Sequence, residues 1–146
     1  MKKIKLAGIF LILLISGVAV AQSSIEPDPR LKAIYSEDNL QQMKINTPVQ
    51  LDVLNFNLDH SWFIVEDAIF DKVKDSPYLY YVDPETGFQS ENKVTSIDFS
   101  SVNIALYWVD QQYDRRVFYR VGDTGIVLGF YSSKEMVTMY NQSKNQ

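Results

Sequence analysis

The stretch Val102-Asn-Ile-Ala-Leu-Tyr-Trp-Val-Asp-Gln-Gln-Tyr-Asp-Arg-Arg-Val-Phe-Tyr-Arg-Val-Gly-Asp-Thr-Gly-Ile-Val-Leu-Gly-Phe-Tyr131 decides the fold. Val102, Ile104, Leu106 and Trp108 alternate with Asn103, Ala105, Tyr107 and Val109, the two-residue period of a strand with one strongly apolar face. Polar Asp110 to Asp114 form a first connection. Val117, Tyr119 and Val121 then alternate with Arg116, Phe118 and Arg120, and Gly122-Asp-Thr-Gly125 turns the chain into Ile126 to Tyr131. This pattern predicts three antiparallel strands on short loops, a β-meander.

Upstream, Tyr78 to Val82 is aromatic and β-prone, and Asp83-Pro-Glu-Thr-Gly87 supplies a proline and a glycine where a turn needs them, so a hairpin starts here. Gln89 to Lys93 is polar, and Val94, Ile97 and Phe99 allow another short strand. Trp62-Phe-Ile-Val65 fits a strand covered on both faces. Asp67 to Lys74 fits one or two helical turns, stopped by Pro77. Thr47-Pro-Val-Gln50 has the order of a capping box with proline in the first turn, predicting a helix from 48 to about 58 whose Leu51, Leu54 and Leu58 share a face. Ser36 offers an N-cap within one or two short helices over 30–44.

Downstream, Ser132-Ser-Lys-Glu135 is a second capping box, opening a terminal helix that uses Met136, Val137, Met139 and Tyr140. The polar end, 142–146, is expected to be a disordered tail. Helices at both ends of a run of antiparallel strands make an α+β domain over 30–141.

The chain has 146 residues and opens Met1-Lys-Lys-Ile-Lys5, followed by the apolar run Leu6 to Ile15 and then Ala19-Val-Ala21. That order is the signature of a secretory signal peptide over 1–21, with cleavage expected after Ala21. A membrane anchor is the competing reading, but it needs about 20 mainly apolar residues and does not end in small residues at cleavage positions. Gln22 to Pro29 is polar, contains two prolines and reads as a disordered leader. The remaining 125 residues suffice for one domain with a proper core. There is no cysteine, so neither disulfide nor N-terminal lipid attachment is available, and stability must come from packing. Loss of Lys2, Lys3 and Lys5 takes the formal charge from −4 to −7. Such an acidic surface opposes phosphate backbones and anionic headgroups, which speaks against general nucleic-acid binding and against membrane insertion after signal removal.

No cofactor or metal is expected. One histidine and no cysteine cannot build a transition-metal cluster, and Gly122-x-x-Gly125 lies between strands instead of opening a helix. Asp83, Glu85, Gln89 and Glu91 miss the calcium-loop spacing. His60, beside Asp59, could serve a small hydrolase together with Asp59 or Glu66, yet at a helix-to-strand junction it better suits the last helical carbonyls. Arg115, Arg116 and Arg120, interleaved with Phe118 and Tyr119, are better explained by cation–aromatic packing than by a nucleic-acid surface. Binding is favoured mildly by the aromatics: Trp62, Trp108 and the run Tyr78, Tyr80, Tyr81 could offer flat amphipathic rings. The candidate binding residues are therefore Trp62, Tyr80, Tyr81, Arg116 and Arg120, with no catalytic set.

Through Leu51-Asp-Val-Leu-Asn-Phe-Asn-Leu-Asp-His-Ser-Trp-Phe-Ile-Val65 and Arg116-Val-Phe-Tyr-Arg-Val-Gly-Asp-Thr-Gly-Ile-Val127, the chain resembles small exported proteins of unknown function from Bacteroidota-type bacteria. The resemblance implies a Gram-negative envelope setting, periplasmic or secreted, and carries over no activity. The expectation is a non-enzymatic binding or accessory protein whose partner is an envelope protein or a glycan. The small hydrolase is the alternative.

Overall fold

The computed structural model describes residues 24–65 and 71–146. The expected signal peptide, the first two leader residues, Glu66 and the start of the segment 67–74 lie outside the described residues. A short 3-10 helix, Pro29–Ala33, precedes helix α1 (Glu37–Asn46) and helix α2 (Pro48–His60). Strands β1 (Trp62–Ile64), β2 (Tyr80–Val82), β3 (Gln89–Lys93), β4 (Tyr107–Trp108), β5 (Val117–Arg120) and β6 (Val127–Phe130) follow, and helix α3 (Ser133–Lys144) closes the chain. Class and outline are as the sequence predicts: α+β, with antiparallel strands between N-terminal helices and a C-terminal helix.

Strand placement inside that outline differs. The strands form two sheets, ordered β1-β6-β5 and β3-β2-β4. The β5–β6 hairpin is the one expected, and Gly122 and Gly125 hold φ of 50° and 79° in its turn. The first expected strand of the meander is mostly not a strand. The Asn103 side chain accepts a hydrogen bond from the Ala105 amide and bends Ile104–Leu106 into a 3-10 turn, whose Ile104 and Ala105 are buried. Only Tyr107 and Trp108 stay extended, and they pair with β2 instead of β5.

The hairpin expected from Tyr78–Val82 and the turn at 83–87 is present, and its return strand is the polar stretch Gln89 to Lys93, β3, paired with β2. Residues 94–99, expected as a strand, contain none. A mostly exposed edge strand shows no hydrophobic alternation, which is why periodicity alone passes over it. Segment 77–82 joins the sheets: Arg120 donates its amide to the Pro77 carbonyl and accepts from the Leu79 amide, giving a parallel bridge between Tyr78 and Arg120, while β2 continues into the second sheet.

One face of this joined surface is the core. Leu79, Tyr119, Val121, Leu128 and Phe130 meet Leu31, Leu40, Leu51, Leu54 and Leu58 from the helices. The apolar stripe of α2 thus finds its partner, as its leucine spacing requires. On the opposite face a smaller cluster unites Val65, Val73 and Val127 with Phe63 and Phe118. Strand β6 lies between both and is buried throughout. Strand β1, expected to be covered on both faces, is the edge of its sheet, and Ile64 is 49% exposed.

Cap chemistry explains the helix limits. Ser36 accepts from the Asn39 amide at α1, and at α3 Ser132 and Glu135 form the reciprocal capping box. Thr47 makes no side-chain cap to α2. It also ends α1, its amide is taken by the Met43 carbonyl, and its hydroxyl turns back towards that same carbonyl. Helix α2 runs two residues beyond the expected end, and α3 continues through Asn141 to Lys144, into the expected tail.

Residues 25–29, expected within the leader, are tied to the domain. Asn55 accepts the Asp28 amide and donates to the Glu26 carbonyl, and Ile25 packs on the core. Arg30 grips both Asp28 and Asp59, so proline-rich composition alone misjudged a segment that side-chain hydrogen bonds hold in place.

Candidate binding surface

Alternation decides which aromatics can meet a ligand. Tyr80 and Tyr81 are neighbours in β2 and therefore point to opposite faces. Tyr81 faces the core, tilted against Tyr107 with ring centroids 5.7 Å apart. Burial raises the Tyr107 phenol, and Tyr81 adds to the effect. Trp62 also packs on the core: its indole nitrogen donates to the Leu58 carbonyl at 3.2 Å and its ring stacks on Phe99.

Tyr80 stands on the other face. It is the register partner of Trp108 on β4 and of Lys93 on β3, so Trp108, Tyr80 and Lys93 form one row across three strands. Registered partners share a face, with strands about 4.8 Å apart. Tyr80 and Trp108 are half-buried and belong to neither core cluster. Among the described residues, neither the Tyr80 hydroxyl nor the Trp108 indole N–H has a hydrogen-bond partner, and neither is a sealed orphan. By contrast Trp62, Tyr78, Tyr119 and Tyr140 have their polar ends anchored, to the Leu58 carbonyl, Asp123, the Asp110 amide and Asp52.

Beside the row, the Tyr78 ring meets two cations. Lys93 Nζ is 3.9 Å from its ring centroid and the Arg120 guanidinium 4.2 Å. The Arg120 Nε donates to the Ser76 carbonyl at 2.7 Å, which fixes that guanidinium. Lys93 is held more loosely, 3.9 Å from the Asp123 carboxylate. The cation–aromatic packing read from the sequence is therefore present at Arg120.

Arg116 is elsewhere and engaged. It lies 4.9 Å from the Tyr131 ring centroid and 5.3 Å from that of Phe63, and donates to Glu135 at 2.7 and 2.9 Å. That guanidinium, helped by the Ser132 amide and hydroxyl, holds the Glu135 carboxyl down at about 2. Of the hydrolase candidates, Glu66 lies outside the described residues, and His60 and Asp59 each have another partner. His60 lies flat on Phe56, centroids 4.1 Å apart, with Nδ1 2.8 Å from the Phe56 carbonyl, the helix-end role expected for it. The Asp59 carboxylate faces Arg30, which keeps its proton affinity low.

Asp83 Oδ1 accepts the Glu85 and Thr86 amides and so belongs to its turn. Among the described residues no group of three or more acids or histidines is arranged to hold a metal, and no helix is long and apolar enough to cross a membrane. Of the five sequence candidates, then, Tyr80 and Arg120 come together, Trp62 and Tyr81 face inward, and Arg116 is locked to α3. Sequence reasoning missed Lys93 altogether and left Trp108 out of the set. The only signal for Trp108 was its aromatic type, and Lys93 gave none before its register was known.

Compared with known protein families, with curated proteins and with solved structures, the chain finds no match in any of the three.

Proposed function

We propose that this chain is an exported, non-enzymatic binding module of the bacterial envelope and that its ligand is a saccharide held on the Trp108–Tyr80 row. Export rests on the order of charged, apolar and small residues over 1–21. Saccharide binding rests on one observation: two adjacent rings on the face away from the main core, their polar ends without partners among the described residues. Tyrosine and tryptophan supply rigid amphipathic area at small entropic cost, the flat face meeting sugar C–H groups and the O–H or N–H meeting hydroxyls.

Fluorescence titration of the exported protein with envelope and matrix polysaccharides tests this reading. Trp108 should respond, and Trp62, turned to the core, should not, so Trp108→Phe removes the signal and Trp62→Phe keeps it. In calorimetry Tyr80→Ala and Trp108→Ala should each weaken binding about tenfold, the scale of one lost aromatic anchor. Flat titrations across the panel would overturn the proposal.

A further inference from the structure

The third member of the row has a chemistry that the two rings lack. Lys93 continues the line Trp108–Tyr80 onto β3, on the same face. Its ammonium lies 3.9 Å from the centroid of the Tyr78 ring, which the Arg120 guanidinium also approaches to 4.2 Å. Two cations thus sit within one aromatic side chain of each other. The acid the structure gives Lys93 is Asp123, whose side chain is 81% exposed and whose oxygen is 3.9 Å away, a contact too long for a hydrogen bond. Asp123 has a better partner in the Tyr78 hydroxyl at 2.8 Å. Among the described residues, then, the Lys93 ammonium donates no hydrogen bond, and it stands at the end of a stacking row. The rest of the protein is acidic, which makes a local pair of cations the place where an anionic group can land.

We infer that the saccharide bound by this row is acidic, a uronate-containing oligosaccharide whose sugar rings lie on Trp108 and Tyr80 and whose carboxylate meets Lys93 at the end of the row. This rests on the saccharide reading above. Strand spacing places successive row members about 4.8 Å apart, close to the repeat of a chain of pyranoses lying across the sheet. Arg120, pinned to the Ser76 carbonyl, contributes field and positions Tyr78, while Lys93 makes the direct contact.

The test uses tetramers of α-1,4-galacturonate and β-1,4-mannuronate, each as the free acid and as the methyl ester, which keeps the ring skeleton and removes the charge. Calorimetry at low salt should show the acid of at least one pair binding about tenfold more tightly than its ester, the effect of one charge-assisted hydrogen bond. Lys93→Gln should abolish that preference, bringing acid binding down to the level of the ester, whereas a merely structural loss would weaken both and keep their ratio. Raising the salt should weaken the acid alone. Equal binding of acid and ester, lost in Tyr80→Ala and Trp108→Ala, would overturn the charge inference and leave the saccharide reading standing. Absence of binding by all four probes, together with flat polysaccharide titrations, would overturn both.

Discussion

Gly129 shows how one missing side chain organises an edge. It is the register partner of Phe63, and a Cβ built on it would lie 2.2 Å from the Phe63 ring. The ring covers bare backbone on the neighbouring strand and is itself fenced by Tyr131 at 4.8 Å and by Phe118 edge-on at 6.2 Å. Gly129 does not sit at positive φ, so alanine would suit its backbone and by that measure would stabilise. The ring reverses the sign. Gly129→Ala should cost about 1–3 kcal/mol of stability through overpacking and lower Tm by several degrees, and the penalty should disappear when Phe63→Ala is also present. Equal thermal midpoints for Gly129→Ala and the native protein would show that β1 simply moves aside. The same alternation that pairs Phe63 with Gly129 separates Tyr80 from Tyr81, and here sequence was mute: in a run of aromatics, nothing local says which parity faces the core. Lys93 was equally hidden, since only pairing with Tyr80 gives it a role.

Among the elements, the features legible in the sequence were the ones closed within a few residues. Ser36 and the Ser132–Glu135 box hold where they were expected, because cap and partner lie within one turn. Thr47 failed for a physical reason, serving as the end of one helix and the start of the next. Strand β3 and the 3-10 turn at Ile104 depend on partners far along the chain or on an Asn side chain competing with the strand, and periodicity sees neither. The α3 box also reaches outside its helix through Arg116, and this makes it pH-dependent. Glu135 has its folded proton affinity depressed from 4.5 to about 2, first by the Arg116 hydrogen bonds, so its contribution is complete above about pH 4.5 and is lost as pH falls towards 2. After discounting for a side chain 35% exposed, Glu135→Gln should destabilise by about 0.5–1 kcal/mol at pH 6. Urea midpoints of the two proteins should converge near pH 2. A gap unchanged between pH 6 and pH 2 would mean that the carboxylate charge contributes nothing. Asp28 and Asp59 are depressed by Arg30 in the same direction, so both proteins lose stability in acid, and only their difference reports on Glu135.

At the scale of the molecule, two small sheets without disulfides raise the question of whether they fold as one. The first sheet has a small apolar cluster of its own around Val127, but the main core is shared by both sheets. The first contributes Tyr119, Leu128 and Phe130, and the second side contributes Leu79, Tyr81 and Tyr107, to a single cluster closed by the leucines of α2. The parallel bridge at Tyr78 and Arg120 adds backbone hydrogen bonds across the junction, and the Tyr119 hydroxyl accepts the Asp110 amide just beyond β4. Removing one sheet would therefore expose the inner face of the other, which couples them through hydrophobic burial. Nature has placed one tryptophan on each: Trp62 on β1 and Trp108 on β4. In Trp108→Phe the remaining fluorescence reports the first sheet, and in Trp62→Phe the second. Each variant's fluorescence transition in urea should coincide with its own far-UV circular dichroism transition, at one midpoint and one slope. If the Trp108 signal changed at lower urea than the helical signal of the same protein, β2, β3 and β4 would be an independent unit. The binding row would then sit on a subdomain able to open alone, and saccharide should raise the midpoint of that early transition and not of the later one.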